Sequence, residues 1–355
     1  LKKILVFLLL GWVAAQASTP YDAAIAATKS PFKKTLTALY SQNGGKPFWS
    51  GAANSDKLNT LLDLLDDPYF NYKHKPFNRS TIDALLNQMG SDIQPGGLLK
   101  KLDVALTDGY LYLLHFVRVG DVDWGLVKRK MARLKATQDV RATWEFRPRR
   151  MLSATTILPA IRSGKIYALL DAQVPLTHRY KQLITLLSKY RSMPKWHAIP
   201  YGKMLKPHRM DDRIRTIKKR LHFFGDFPGN DTGTGWSSSL TQAVRSFKER
   251  LNLPRGDYID NKVILYLNKP RSYYLRKILT NLDILKLYPR SFESEYAEIN
   301  IPDYRLRYYQ NGKIIFKSPL VVGRIDRPTP IFSDKIEYMV LNPTWTITDN
   351  LVRRD

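Results

Sequence analysis

Along most of the chain the apolar residues recur at helical spacing, and near the end the period changes to two. From Tyr21 to about Gly202 the pattern is mainly helical. Ser80 reads as an N-cap before TIDALLNQM, with Gly90 as its stop. In LLKKLDVALTDGYLYLLHFVRVG, Leu98, Leu99, Leu102, Ala105, Leu106, Leu113, Phe116 and Val117 keep helical spacing, and Gly120 ends the run. Two shorter helices are expected at Ala154 to Arg162 and Lys165 to Asp171. A longer one, Arg179 to Arg191, is expected to bury Leu183, Ile184, Leu187 and Tyr190.

Asp211 to Asn268 reads as a compact helical module. RIRTIKKRLHFFGDF makes an amphipathic helix with Ile214, Ile217 and Leu221 inward, closed by Gly225. A polar, glycine-rich loop, PGNDTGTGWSSS, leads to a second helix in which Ser239 and Gln242 suggest a capping box. Leu240, Ala243, Val244, Phe247 and Leu251 form one stripe along it. GDYIDNKVILYLN supplies a turn and a third short helix. A helical linker, YYLRKILTNLDILKLYP, follows.

Beyond it the period is two. Tyr304, Leu306 and Tyr308 alternate with Arg305, Arg307 and Tyr309, and Asn311-Gly312 is a strong hairpin-turn signal before the returning KIIFKSPLVVG. KIEYMVLNP predicts a further strand. The fold class is therefore α+β: a helical scaffold, a small three-helix module and the opening strands of a β domain. Those strands are expected to leave an edge of unpaired N–H and C=O groups.

Composition narrows the function classes. The chain of 355 residues contains no cysteine. Disulfides, thiolate metal sites and a cysteine nucleophile are thereby excluded among these residues. Its histidines show no ligand spacing, so no metal site is expected. There is no glycine-rich phosphate loop, and no cofactor is expected. The first residues combine Lys2 and Lys3, an apolar run of 11 residues from Ile4 to Ala14, and Ala15-Gln16-Ala17. That order matches a secretory signal over residues 1–17, cleaved after Ala17. The run is too short for a membrane span of about 20 residues, so no stable transmembrane anchor is expected.

The formal net charge of +26 is concentrated in the middle. From Leu176 to Leu221 there are 13 Lys or Arg against 2 Asp, a net +11, and residues 127–150 carry 9 against 2, a net +7. Such stretches are as often simply a solvated face; in an exported protein the anions they meet are phospholipid headgroups and cell-wall carboxylates rather than nucleic acid, so charge alone names no partner.

Taken together, these segments resemble the periplasmic L,D-transpeptidases of the YcbB type. In the scaffold, residues 18–205, the resemblance rests on ALYSQNGGKPFW, LDVALTDGYLYLLHFVRVGDVD and HRYKQLITLLSKYR, the last followed by RIRTIKKRLHFFGD. In a peptidoglycan-binding module, residues 206–270, it rests on AVRSFKERLNL, where Lys248 replaces the usual Gln, and on GDYID in place of the usual DGxIG turn. In residues 271–355, a linker helix and the opening of a YkuD catalytic domain, it rests on INIPDYRLRYYQNGK, VGRIDRPTPIF and NPTW, with Thr348 where Pro is usual.

The resemblance implies acyl transfer in the periplasm: a cysteine thiolate attacks a tetrapeptide stem, D-Ala leaves, and a neighbouring amine resolves the thioester into a 3-to-3 crosslink. It implies peptidoglycan as partner, with other cell-wall synthases as further candidates. The thiolate and its histidine base belong to a motif well beyond NPTW, whereas here the last histidine is His222. Ser291, Ser318 and Ser333 have no histidine near them in sequence to act as a base. No catalytic residue is therefore assigned, and the chain reads as a transpeptidase that ends before its active site. A non-catalytic wall-binding protein and an interrupted reading frame remain alternatives. Trp236, in the loop between module helices, is the candidate for stacking on sugar, with a place in the core as its competing role.

Overall fold

The computed structural model describes residues 19–51, 54–89, 96–138, 144–145, 147–229, 232–324 and 328–344. The signal-like segment, Gly90, Trp345 and Thr348 lie outside them. Thirteen α-helices and one three-stranded antiparallel sheet make up the described chain, an α+β fold. It divides into two compact units. The first holds residues 1–121 and 149–291, and the second holds 122–148 and 292–355.

The first unit is built around α5, Gly96–Arg118. From Leu102 to Val117 nearly every side chain is buried, so this helix is enclosed rather than amphipathic at the surface. Around it stand α1 (Asp22–Ala27), α2 (Lys33–Gln42), α3 (Ser55–Asp66) and α4 (Arg79–Met89). Close approach is made possible at Gly109, where a Cβ would stand 2.9 Å from the Phe77 carbonyl oxygen. The helix stops at Gly120, whose φ of +88° suits glycine. Two short helices follow, α7 (Ala154–Arg162) and α8 (Ile166–Asp171), and then α9 (Thr177–Arg191). Tyr180, Leu187 and Tyr190 are buried on α9, but Leu183 and Ile184 are only partly covered.

Two cap assignments change. Ser80 lies inside α4, which begins one residue earlier, at Arg79. The second module helix begins at Ser238, and its N-cap is Ser237 rather than Ser239: the Ser237 hydroxyl accepts from the Leu240 N–H at 3.1 Å. In the second case Ser237, Ser238 and Ser239 offer the same capping chemistry at neighbouring positions.

The module comprises α10 (Arg213–Phe224), α11 (Ser238–Arg250) and α12 (Asn261–Leu267). Ile214, Ile217 and Leu221 meet Leu240, Ala243, Val244 and Phe247 in one apolar core, sealed by Val263, Ile264 and Leu267. Gly225 closes α10 at φ +86°. The next helix, α13 (Arg271–Leu285), packs along α9 and buries Ile278, Leu282 and Leu285. Within this unit it is a packed element.

The second unit joins α6 (Trp124–Gln138) to β1 (Glu295–Asn300), β2 (Arg305–Gln310) and β3 (Lys313–Pro319). β2 and β3 close on Asn311-Gly312, at φ +49° and +76°, the two positive values a tight I′ hairpin turn requires. A bulge at Ile315 shifts the register: Tyr308 faces Phe316 and Tyr309 faces Ile314. β1 pairs with β2 on the other side, stacking Tyr296 on Tyr309 at 4.6 Å between ring centroids. Residues 335–343, expected as a strand, are irregular. Their alternation finds no strand to pair with among the described residues, and Ile336, Tyr338, Met339 and Leu341 stay exposed. The ladder contact in this region is instead a bridge between Trp144 and Ile331, with the Glu145 N–H donating to Ile331 O at 2.8 Å.

Candidate functional site

The module carries the one side chain that sequence singles out, Trp236, and its surroundings come from two chain segments lying side by side. The Trp236 N–H donates to Arg209 O at 3.2 Å and the Asp211 N–H to Thr234 O at 3.1 Å. Trp236 is half-buried against the module core. Its indole Nε1 donates to Thr241 Oγ1 at 2.8 Å, so the ring is held in place by α11.

Lys248, the departure from the usual glutamine, is buried. Its Nζ donates to Gly256 O at 3.0 Å and lies 3.2 Å from the Tyr258 ring centroid. Burial pulls its pKa down, partly countered by Asp260 and Asp257. The lysine thus fastens the turn that precedes α12. Gly256 in that turn sits at φ +132°, where a Cβ would collide with Tyr258 at 2.4 Å. The atypical turn and the atypical lysine form one local arrangement.

Arg220 binds the module to the segment before it. Its guanidinium donates to Leu267 O at 2.8 Å, to Asn268 Oδ1 at 2.5 Å and to His197 O, and it stacks on Trp196. Asn268 in turn exchanges two hydrogen bonds with the Ile199 backbone. A charged group buried this deeply is tolerated because carbonyl oxygens replace its water.

The scaffold segments quoted above owe their residue choices to packing. Asp103 accepts from Tyr40 Oη at 2.7 Å, from the Phe48 N–H at 3.0 Å and from the Trp49 N–H at 2.8 Å. Thr107 Oγ1 receives Trp49 Nε1 at 2.9 Å. Burial and the Asp103 charge push the Tyr40 hydroxyl pKa far up. A carboxylate saturated by donors in a closed core is an organising group, with no room for a reacting molecule. Asp108, raised to about 6 by burial despite its bond from Ser30 Oγ, belongs to the same interior. Lys286 is more unusual: it is buried, donates to Phe116 O at 2.6 Å and lies 3.7 Å from the Phe116 ring centroid. Burial lowers its pKa to about 7, with Asp283 opposing the shift.

The strands of the second unit hold no nucleophile with a base beside it. Ser318 Oγ donates to the Pro319 carbonyl, and Ser318 and Ser333 lie in a unit that holds no histidine, whereas Ser291 ends the first unit, which holds all six. All six histidines precede residue 223. No group of three His, Cys, Asp or Glu side chains suited to a metal occurs among the described residues. Glu295 accepts from Gln310 Nε2 at 2.8 Å and Tyr308 Oη at 3.1 Å across the sheet, which fixes strand register.

Residues 34–187 match the family described as the Scaffold domain, and residues 294–355 match the L,D-transpeptidase catalytic domain, YkuD. By these two matches the chain is similar to L,D-transpeptidases in its scaffold and in the opening of its catalytic domain. A Haemophilus influenzae protein named "Putative L,D-transpeptidase" is 32% identical over 133 residues, 36% of this chain and 27% of that protein. The chain thus spans about a quarter of the length of the curated relative it matches.

In sequence, Trp236 was legible as an aromatic in a polar loop and Lys248 as a departure from the usual Gln; the burial of Lys248, Arg220 and Lys286 was not. Each is a long cation whose burial depends on carbonyl oxygens and rings supplied by distant segments, and helical periodicity assigns such residues to the surface. Lys218 and Arg220, both buried, sit on α10 among positions that looked solvated.

Proposed function

We propose that this chain is an exported envelope protein of the L,D-transpeptidase family that engages peptidoglycan through residues 206–270. The scaffold of residues 18–205 holds that module in place, and residues 271–355 carry the opening strands of the catalytic domain. The family reaction is 3-to-3 crosslinking of tetrapeptide stems by cysteine acyl transfer. The joint match to a scaffold and to a YkuD domain supports this reading. Trp236 is the proposed glycan contact: Thr241 fixes its edge, which leaves the ring preordered for stacking on a sugar.

One observation favours a second reading for these residues taken alone, a non-catalytic peptidoglycan-binding protein. The acyl transfer requires a thiolate, and the 355 residues contain no cysteine. Sedimentation with purified sacculi tests the binding role. The chain is expected to pellet with sacculi, and Trp236→Ala to weaken retention about tenfold while melting within a few degrees of wild type. A chain that stays in the supernatant removes the wall-binding role.

A further inference from the structure

A short stretch of the first unit, YGKMLKPHRM at residues 201–210, departs from what soluble surfaces usually show. Tyr201, Met204 and Met210 are exposed, Met210 to 78%, and Lys203, Lys206 and Arg209 are exposed between them. The stretch contains no acidic residue. The lysine and arginine side chains of this trio make no hydrogen bond or ion pair among the described residues. Of the two acids that follow the stretch, Asp211 is clasped by Arg213 at 2.9 Å, and Asp212 is exposed at the N-terminus of α10.

The stretch is pinned rather than loose. Leu205, buried in the module core, exchanges both backbone hydrogen bonds with Ile259 at 2.9 Å. Met210 bridges Gly235, and the Arg209 carbonyl receives the Trp236 N–H. Between these fixed points the apolar and basic side chains are held outward at little entropic cost. Arg215 extends the positive field, its Nε bonded to Thr232 O on the adjoining segment.

Apolar tips interleaved with unpaired cations, on a rigid backbone and without acids, fit an interface that is charged at its surface and oily just beneath. A cell-wall carboxylate or a sugar has use for the cations, but not for exposed methionines. We propose that residues 201–210 dock on an anionic phospholipid surface, with Lys203, Lys206 and Arg209 at the headgroup phosphates and Tyr201, Met204 and Met210 in the headgroup–acyl boundary. Such docking holds the neighbouring module at the membrane face of the wall.

The absence of cysteine makes a local test direct. M210C labelled with an environment-sensitive fluorophore reports on the stretch itself, and S163C, on an exposed residue of the same unit, serves as reference. The labelled 355-residue chains are titrated with vesicles of phosphatidylglycerol and phosphatidylcholine, with pure phosphatidylcholine vesicles, and with solubilised peptidoglycan fragments. The expected result is a blue shift at position 210 with anionic vesicles only, suppressed by high salt, and none at position 163. Adding K203Q, K206Q and R209Q should raise the lipid concentration needed by about a hundredfold, at about fivefold per charge removed. The proposal is overturned by no shift at 210 with vesicles, by equal shifts at both positions, by equal response to neutral vesicles, or by a response to peptidoglycan fragments alone.

Discussion

The two compact units differ in what makes their secondary structure. In the first, α5 is enclosed, and polar residues such as Asp103, Thr107 and Lys286 are buried with their partners. In the second, β1 to β3 form a sheet whose turn, bulge and register are well defined, yet Ile299, Ile314, Ile315 and Phe316 remain exposed. Hairpin geometry comes from local chemistry, from a two-residue turn and from cross-strand pairs. Burial requires partners from elsewhere in the chain. A strand pattern in sequence therefore signals a hairpin before it signals a core.

The contrast predicts unequal sensitivity to substitution. Asp103→Ala removes the acceptor shared by Tyr40, Phe48 and Trp49, leaving buried donors unsatisfied; a loss of about 3–5 kcal/mol is expected in chemical denaturation of the first unit. A loss under about 1 kcal/mol would break the view of Asp103 as the organiser of that core.

An intermediate effect is expected at Lys286, and it is a pH effect. Its folded pKa, about 7, lies below the ordinary lysine value of 10.5. Between these values the unfolded chain binds the extra proton, so stability rises with pH through that window and falls as pH drops through 7. Relative to Lys286→Met, the wild type should gain about 2 kcal/mol between pH 7 and pH 9. The facing groups Asp283, Asp121, Lys73 and Lys75 are common to both proteins and cancel in the difference. Parallel stability–pH curves would show that Lys286 stays charged when buried.

The smallest effect is expected in the sheet. Phe316→Lys should change stability by no more than about 0.5 kcal/mol, because the ring is already exposed, while raising solubility by charging β3. A loss comparable to that of a core residue would mean that the exposed apolar face is covered in solution.

How far these features could be read beforehand follows the same division. The Asn311-Gly312 turn, the stripe of Leu240, Ala243, Val244 and Phe247, and the end of α5 at Gly120 are local and were legible. Residues 122–148 were not assigned to the second unit, because the contact from Trp144 to Ile331 spans the sequence and leaves no periodic trace. The strand expected at 335–343 failed for a related reason: alternation gives a segment strand character, but a ladder needs a neighbour. Of the candidate site, Trp236 was visible, and its restraint by Thr241 and Arg209 was not.

The central claim is the likeness to L,D-transpeptidases, and with it goes the proposal that these residues alone carry out no acyl transfer. Incubating the 355-residue chain with tetrapeptide-bearing muropeptides, followed by mass spectrometry of the products, tests it most directly. The account predicts unchanged monomers and no release of D-Ala; any 3-to-3 crosslinked dimer formed by this chain would contradict it.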